Sequence, residues 1–390
     1  MLMGKNYVRL LTLPETGRHS IFLLGPRGTG KTSWIKSHLE NNLYFDLLDA
    51  RVCNEFLANP TALERRIPNN FNRWIVIDEI QKVPVLLNEV HRLIESKGYR
   101  FVLTGSSARS LRKQGVNLLA GRAFQYHMHP LTCYELGNDF SLTTALTHGL
   151  LPFVYSGTDD PQHYLETYIA TYLREEVQQE GLTRSLGDFS RFLQIASFSQ
   201  GETLNFTEIA REASIPRRVV ASYFDIVNDL LLSHMLPVFS KRAKRRLVTH
   251  SKFYYFDVGV YRTLRPKGPL DIVDEIDGAA LETLFLQHLI AINHYYRLGY
   301  EFYFWRTSNQ IEVDFIAYGE RGLLAFEIKR KRTVSPKDLT GLKAFCSDYE
   351  MTVPYFIYGG DYEEFHGNIK AIPIEKALFR LKEILENANN

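Results

Sequence analysis

Residues 25–32 read GPRGTGKT, which has the composition and spacing of a loop that cradles phosphate groups. The glycines let backbone N–H groups turn towards phosphate oxygens, and the start of a following helix adds favourable partial charge. Lys31 is expected to reach the β- and γ-phosphates, and Thr32 to hold Mg²⁺. The alternative is a glycine-rich turn without a ligand. The residues predicted to contact nucleotide in this loop are Gly25, Pro26, Arg27, Gly28, Thr29, Gly30, Lys31 and Thr32.

Two adjacent carboxylates follow the apolar run 74–77. Asp78 is expected to contact Mg²⁺ through its water shell, and Glu79 to polarise the water that attacks the γ-phosphate. The alternative is that both residues merely start the next helix, where acidic side chains suit the helix dipole. The phosphate loop upstream favours the nucleotide site, so Lys31 and Glu79 are the predicted catalytic residues of an ATPase.

A further apolar run, residues 101–103, is followed by small polar side chains. If this strand lies between the strands that carry the phosphate loop and Asp78, a hydroxyl at its end can lie beside the γ-phosphate. Thr104, Ser106 and Ser107 are the candidate sensors, and Thr104 is the one assigned to nucleotide binding. An ordinary helix cap is the alternative.

Three arginines come next, and each is a candidate arginine finger that would complete the site of a neighbouring subunit. They are Arg109, Arg112 and Arg122. For any single one, a solvated surface arginine is the simpler interpretation. Arg122 is the preferred candidate and is predicted to contact nucleotide.

The carboxyl-terminal part holds a second group of charged residues. In the strand-like run 325–329, Glu327 and Lys329 share one face because strand side chains alternate. A hairpin turn at residues 318–322 would bring Asp314 beside Glu327. Neighbouring carboxylates suit one or two hard cations, and a nearby lysine can stabilise charge in phosphodiester cleavage. A surface ion pair between Glu327 and Lys329 is the alternative.

The middle of the chain contains two short helical patterns joined by a tight turn, residues 205–213 and 217–224. This order suits a helix–turn–helix, in which Arg217 and Arg218 would meet the major groove of DNA. The basic run 241–246 would then be a wing that grips phosphates. The alternative is a protein–protein module with a solvated basic loop.

The surrounding elements predict an α/β chain of several domains. In residues 1–136, strands alternate with helices, which predicts a parallel sheet with helices on both faces. Residues 137–187 are predicted to be a helical lid or linker, and residues 188–265 a winged-helix-like domain. Residues 278–390 follow the order helix, three strands, helix, strand, which we write αβββαβ.

Composition limits the class of protein. Among 390 residues, 45% are hydrophobic and 23% charged, which excludes a largely disordered or fibrous chain. A formal net charge of +2 means that any nucleic-acid surface must be local. Three widely separated cysteines suggest a reducing compartment, and neither a signal peptide nor a membrane span is visible. We therefore expect a cytoplasmic protein with no membrane partner.

Four motifs resemble the AAA-type ATPase module of prokaryotic ATPases that carry a C-terminal domain of unknown function. They are GPRGTGKT, WIVIDEIQKVP, FVLTGSS, and LAGR followed by HPLTCYEL. The rest of the chain fits the same two-part layout. The resemblance implies binding and hydrolysis of ATP with Mg²⁺, and a homo-oligomeric ring.

The carboxyl-terminal block resembles the PD-(D/E)xK nuclease superfamily through its D…ExK pattern on an αβββαβ unit, although Val313 replaces the proline. The resemblance implies that Asp314 and Glu327 bind a second Mg²⁺ or Mn²⁺, with Glu282 as an acidic partner and Lys329 as an aid to the attacking water. It implies further phosphate contacts by Arg330, Lys331, Arg332 and Lys337.

Two functions are open at this point. The leading one is an ATP-driven protein that binds or processes DNA, in which nucleotide state positions the winged helix and the nuclease-like domain. The alternative is a regulatory ATPase that acts on protein partners and carries an inactive nuclease-like docking domain.

Overall fold

The structure is a computed structural model that describes most of the chain. The described residues are 5–14, 19–107, 122–156, 160–173, 185–241, 243, 245, 247–248, 250–269 and 271–387. The chain divides into two compact units. The amino-terminal unit comprises Arg9–Pro130 and Asp229–Leu232, and the carboxyl-terminal unit comprises Met1–Val8, Leu131–Asn228 and Ser233–Asn390.

The amino-terminal unit is built on a sheet of five parallel strands. The strands are β1 (Ser20–Leu24), β2 (Leu43–Asp46), β3 (Trp74–Asp78), β4 (Arg100–Gly105) and β5 (Ala123–His127). The helices are α1 (Lys31–His38), α2 (Ala50–Ala58), α3 (Ala62–Arg66) and α4 (Leu86–Lys97). The strand order across the sheet is β2-β3-β4-β1-β5, with every pairing parallel. This confirms the predicted α/β unit and places β4 between β1 and β3.

The apolar pattern explains why these elements assemble. Strands β1, β3 and β4 are buried along nearly their whole length, as expected for parallel strands covered on both faces. Helix α4 packs Leu86, Val90 and Leu93 against the sheet from one side, since these residues lie at helical spacing. Because parallel strands end at the same edge, the residues that follow β1, β3 and β4 meet there.

The first half of the carboxyl-terminal unit is mainly helical. Its helices are α5 (Cys133–Leu136), α6 (Leu142–His148), α7 (Pro161–Thr167), α8 (Leu186–Ala196), α9 (Phe206–Ala213), α10 (Arg217–Asp229) and α11 (Val258–Leu264). A π-helix, Tyr168–Leu173, follows α7. Strands β6 (Ser233–Leu236) and β7 (Lys252–Tyr255) form an antiparallel pair. Helices α9 and α10 occupy the positions of the predicted helix–turn–helix.

The second half contains a six-stranded mixed sheet. Its helices are α12 (Val273–Tyr295), α13 (Thr340–Asp348), α14 (Ile374–Phe379) and α15 (Leu381–Glu386). Its strands are β8 (Glu301–Arg306), β9 (Glu312–Gly319), β10 (Gly322–Lys329), β11 (Thr352–Tyr358), β12 (Glu364–His366) and β13 (Ile369–Pro373). From α12 to β11 the order is αβββαβ, as predicted. The strand order is β12-β13-β11-β10-β9-β8, and the β12–β13 pair was not predicted, because β12 is short and mostly exposed.

The segment between β6 and β7 contains the basic run 241–246, and the wing predicted there stays a prediction because Arg242, Lys244 and Arg246 lie outside the described residues. The described residues on either side of this run contact β8. Phe239 is 2% exposed and belongs to the same core cluster as Trp305 and Phe345. Its backbone N–H donates to the carbonyl of Phe304 at 2.7 Å, and the N–H of Val248 donates to that of Arg306 at 3.1 Å. Burial of a phenylalanine side chain stabilises a fold by about 2 kcal/mol. The two hydrogen bonds place Phe239 and Val248 beside β8.

Within the described ranges, none of the helices combines the length and the apolar character that crossing a bilayer requires.

Candidate functional site

The phosphate loop joins β1 to α1, and two of its glycines are required by backbone conformation. Gly28 has a φ of 81° and Gly30 a φ of 92°, which is the left-handed region that strains other residues. Gly25 is required for a different reason, since a Cβ atom there would lie 2.3 Å from the carbonyl oxygen of Met128. The motif glycines therefore shape the loop.

Lys31 is nearly buried, and its ammonium faces back into the loop. Its Nζ donates to the carbonyl of Gly25 at 2.6 Å and to that of Pro26 at 3.1 Å. The loop is also held from outside, because Arg9 donates through Nη1 to the carbonyl of Thr29 at 2.5 Å. Arg9 was missed by the sequence analysis, since it lies before β1 and belongs to no motif.

Asp78, at the end of β3, is 2% exposed and accepts hydrogen bonds from three hydroxyl groups. Thr32 donates from 2.8 Å, and Tyr44 and Thr104 are the other two donors. Thr32 and Asp78, the residues predicted to serve Mg²⁺, thus lie side by side. Their oxygens are the ligand type that Mg²⁺ prefers, so these residues fit the ion.

Tyr44 is a second residue that the sequence analysis missed. Burial and the neighbouring Asp78 carboxylate raise the pKa of the Tyr44 phenol, so the phenol stays protonated and donates to Asp78. Tyr44 lies on β2, beside the strand that carries Asp78. Only the strand order reveals this neighbour, because nothing in the local sequence marks it.

Glu79 has an unusual backbone and a side chain oriented by polar neighbours. Its φ of 61° and ψ of 48° are left-handed, a strained conformation that is concentrated at functional sites. Its N–H donates to the Thr104 hydroxyl at 2.9 Å, and its carboxylate accepts from the side-chain amide of Gln81. The same amide donates to the Ser106 hydroxyl at 2.9 Å. Two of the three candidate sensors therefore contact the Asp78–Glu79 pair or the residue that orients it.

The candidate arginine fingers lie elsewhere or outside the described residues. The carbonyl of Arg122 accepts from the N–H of Ser20 at 2.9 Å, at the start of β1, and its guanidinium contacts Glu95. That position lies roughly 16 Å from the phosphate loop, the length of a five-residue strand. Arg109 and Arg112 lie outside the described residues. A role for Arg122 in nucleotide binding stays a prediction.

A second charged cluster lies in the carboxyl-terminal unit. Phe315 of β9 pairs with Phe326 of β10, so the next residues along, Asp314 and Glu327, are close. The Nζ of Lys329 lies 2.7 Å from Glu327 Oε1 and 3.4 Å from Asp314 Oδ2. The structure thus brings together the three residues of the D…ExK pattern.

Glu282 of α12 lies at the same cluster, where its carboxylate accepts from the Tyr254 hydroxyl at 2.8 Å. Burial and then the charge of Asp314 raise the pKa of Glu282 to about 7 and that of Glu327 to about 8. Burial acts the same way on Asp314, but the nearby lysines outweigh it and its pKa is lowered. Among the described residues, Glu327 Oε2 has no hydrogen-bond partner.

The carboxylates of this cluster were predicted by resemblance to bind a metal ion. Across the described part of the chain, no group of three or more His, Cys, Asp or Glu side chains is arranged to hold a metal ion. The metal sites inferred by resemblance at Glu282, Asp314 and Glu327, and the role of Lys329 towards water, stay predictions.

Among the described residues, five of the eight basic side chains predicted to contact DNA are paired with carboxylates. Arg245 lies 2.6 Å from Asp348, and Lys241 lies 3.4 Å from Glu301. The other ion pairs are Arg330–Asp277 at 2.8 Å, Lys331–Asp338 at 2.5 Å and Arg332–Asp361 at 2.7 Å. Arg242, Lys244 and Arg246 lie outside the described residues. Such pairs satisfy these cations without a phosphate.

Three family models match the chain, each over less than half of it. An AAA domain matches residues 17–137, and a domain of unknown function, DUF4143, matches residues 277–377. A further domain of unknown function, DUF8612, matches residues 139–271. The chain therefore carries an AAA domain at its amino-terminal side and a DUF4143 domain at its carboxyl-terminal side, which confirms the predicted two-part layout. The AAA match supports ATP binding.

The similar proteins and solved structures give less information about function than the family models do. Uncharacterized proteins of Mycobacterium tuberculosis and Mycobacterium bovis are each 24% identical over 374 residues, which cover 92% of this chain and 80% of the relative. The Aeropyrum pernix ORC1 protein in complex with DNA has 14% identity and a TM-score of 0.27, and covers 63% of this chain and 86% of that one. Protein VC1899 of Vibrio cholerae has 11% identity and a TM-score of 0.24, and covers 94% and 97%. Both TM-scores are too low to establish a shared fold.

The Asp78 network predicts the effect of removing one hydroxyl. Thr104→Val keeps the side-chain shape but deprives the Asp78 carboxylate and the Glu79 N–H of a partner. We expect the free energy of unfolding to fall by about 1–3 kcal/mol, measured by urea denaturation. Thr104→Ser keeps the hydroxyl and should lose less than half as much. Equal stability of the valine variant and the parent protein would show that the network does not stabilise the unit.

Proposed function

We propose that the protein binds ATP with Mg²⁺ and hydrolyses it in its amino-terminal unit. One observation carries the proposal, namely that the phosphate loop, the Thr32–Asp78 pair and Glu79 meet at one edge of a parallel sheet. The AAA match supports the same function. ATP is the proposed substrate, because Lys31 and the loop amides suit a chain of phosphates.

The contacts of the loop suggest how nucleotide is bound. When phosphates enter, the Lys31 ammonium exchanges the carbonyls of Gly25 and Pro26 for phosphate oxygens, which carry more negative charge. The backbone N–H groups at the start of α1 face the same phosphates. Arg9 donates to the carbonyl of Thr29 and so helps to fix the conformation of the loop. Bound Mg²⁺ would neutralise charge that develops on the γ-phosphate.

Hydrolysis needs a base for the attacking water, and we assign that role to Glu79. Its strained backbone and the hydrogen bond from Gln81 fix the direction of the carboxylate. Thr104 joins this carboxylate residue to Asp78, since its hydroxyl contacts both. The position of the base is thereby linked to the position of the Mg²⁺ ligands.

Replacing the base tests this assignment. Glu79→Gln keeps the shape and the polar contacts but cannot accept a proton. We expect ATP turnover at saturating Mg-ATP to fall at least ~100-fold, with the affinity for ATP changed less than about threefold. Glu55→Gln makes the same carboxylate-to-amide change at an exposed position of the same unit. It is the matched control and should keep full turnover. Turnover by the Glu79 variant at the parent rate would refute the role.

We propose DNA as a second ligand, contacted through α9 and α10. The specific observation is that Arg217 and Arg218 are exposed at the start of α10 and form no ion pair with a described residue. Two cations at a helix start gain nothing from the helix dipole, so an anionic partner would stabilise them. The alternative ligand is an acidic protein surface.

We do not assign DNA cleavage to the cluster around Asp314. The ammonium of Lys329 lies within ion-pair distance of both Asp314 and Glu327, the two carboxylates that a metal ion would need. In this arrangement, we propose that the DUF4143 domain is inactive towards phosphodiesters. An inactive nuclease-like domain is a feature of the regulatory ATPase, whereas the DNA contact proposed for α9 and α10 belongs to the other function considered.

Salt dependence separates the two ligands of the helix–turn–helix. The double variant Arg217→Ala/Arg218→Ala should weaken DNA binding and lower the slope of log K against log[salt] by about 2. Arg211→Ala is the control, because Arg211 on α9 is paired with Glu208 at 3.7 Å. The measurement is fluorescence anisotropy of labelled duplex DNA. No binding by the parent protein at low salt would refute the DNA proposal.

A further inference from the structure

A lysine that no motif singled out lies inside the acidic cluster of the carboxyl-terminal unit. Lys252 is the first residue of β7 and is 2% exposed. Its ammonium contacts Glu312 and lies 3.7 Å from Asp314 Oδ1. A buried ammonium is very unfavourable without charged partners, so these carboxylates hold it in place.

Both oxygens of the Asp314 carboxylate face an ammonium group. Lys252 is on the side of Oδ1, and Lys329 lies 3.4 Å from Oδ2. Glu312 is shared in the same way, because Arg306 Nε lies 3.2 Å from its Oε2. Buried carboxylates here are therefore balanced by cations that belong to the chain itself.

This arrangement does not fit a divalent cation at Asp314. An ion bound to either oxygen would lie within a few ångströms of an ammonium group, and like charges repel strongly at that distance in a dry site. Each oxygen of the Asp314 carboxylate would also have to give up its present cationic partner. Glu327 Oε2, in contrast, lacks a hydrogen-bond partner among the described residues.

We propose that Lys252 is a resident cation of this cluster beside Lys329 and that it excludes Mg²⁺ or Mn²⁺ from the Asp314–Glu327 site. The ammonium and a metal ion bind the Asp314 carboxylate in a mutually exclusive manner. The backbone of Lys252 pairs with Leu236 of β6 and bridges to Thr203. Metal binding therefore requires the Lys252 side chain to leave a position that is set by the β6–β7 pair. The proposal is independent of ATP hydrolysis.

Manganese binding without nucleotide tests the proposal directly. Lys252→Met keeps most of the side-chain volume and removes the charge. We expect this variant to bind one additional Mn²⁺ at least tenfold more tightly than the parent protein, measured by electron paramagnetic resonance of free Mn²⁺. Lys252→Arg keeps the charge and should bind like the parent. Adding Glu327→Gln to the methionine variant should abolish the gain.

Either of two outcomes would overturn the proposal. One is a Lys252→Met variant, folded by circular dichroism, that binds Mn²⁺ no more tightly than the parent. Another needs no change at Lys252 and so remains available if that variant does not fold. The parent protein and Glu327→Gln should bind Mn²⁺ with the same stoichiometry and affinity. Loss of a tight Mn²⁺ site on Glu327→Gln in the parent background would show that the site accepts metal with Lys252 in place.

Discussion

The hydrogen bonds to the buried carboxylate of Asp78 are the interactions on which the amino-terminal unit depends. A carboxylate that is 2% exposed is unfavourable unless hydrogen bonds replace its water. The three donors, Thr32, Tyr44 and Thr104, come from α1, β2 and β4. They converge only if the strands lie in the observed order. The same contacts that stabilise the sheet edge therefore also define the candidate nucleotide site, so that fold and site share one constraint.

In the carboxyl-terminal cluster, buried carboxylates are stabilised by ammonium groups rather than by hydroxyl groups. Hydroxyl donors leave the charge of Asp78 in place, so it remains available to a magnesium ion. Ammonium donors neutralise the charge of Asp314, because Lys252 and Lys329 face its two oxygens. The chain thus contains two buried acidic sites of different character. One is suited to recruiting a cation with its substrate, and the other already contains its cations.

The two sites also show which features can be predicted from the sequence and which cannot. The phosphate loop and Asp78 were predictable because their chemistry is set by residues that are adjacent in the chain, and the alternation of strands and helices gave the parallel sheet. Arg9, Tyr44 and Lys252 were not, because each acts through a partner that only the fold brings near. The packing of Phe239 against Trp305 and Phe345 was likewise not predictable, because these residues are far apart in the chain.

Isothermal titration calorimetry of Mg-ATP is the most direct test of the central claim. If the phosphate loop binds nucleotide, the parent protein should give one saturable binding heat and Lys31→Ala none. Two of the hydrogen bonds of Lys31 go to carbonyls of the loop itself, and circular dichroism of the variant checks that it is folded. The absence of heat with the parent protein, or equal binding by the variant, would contradict the account.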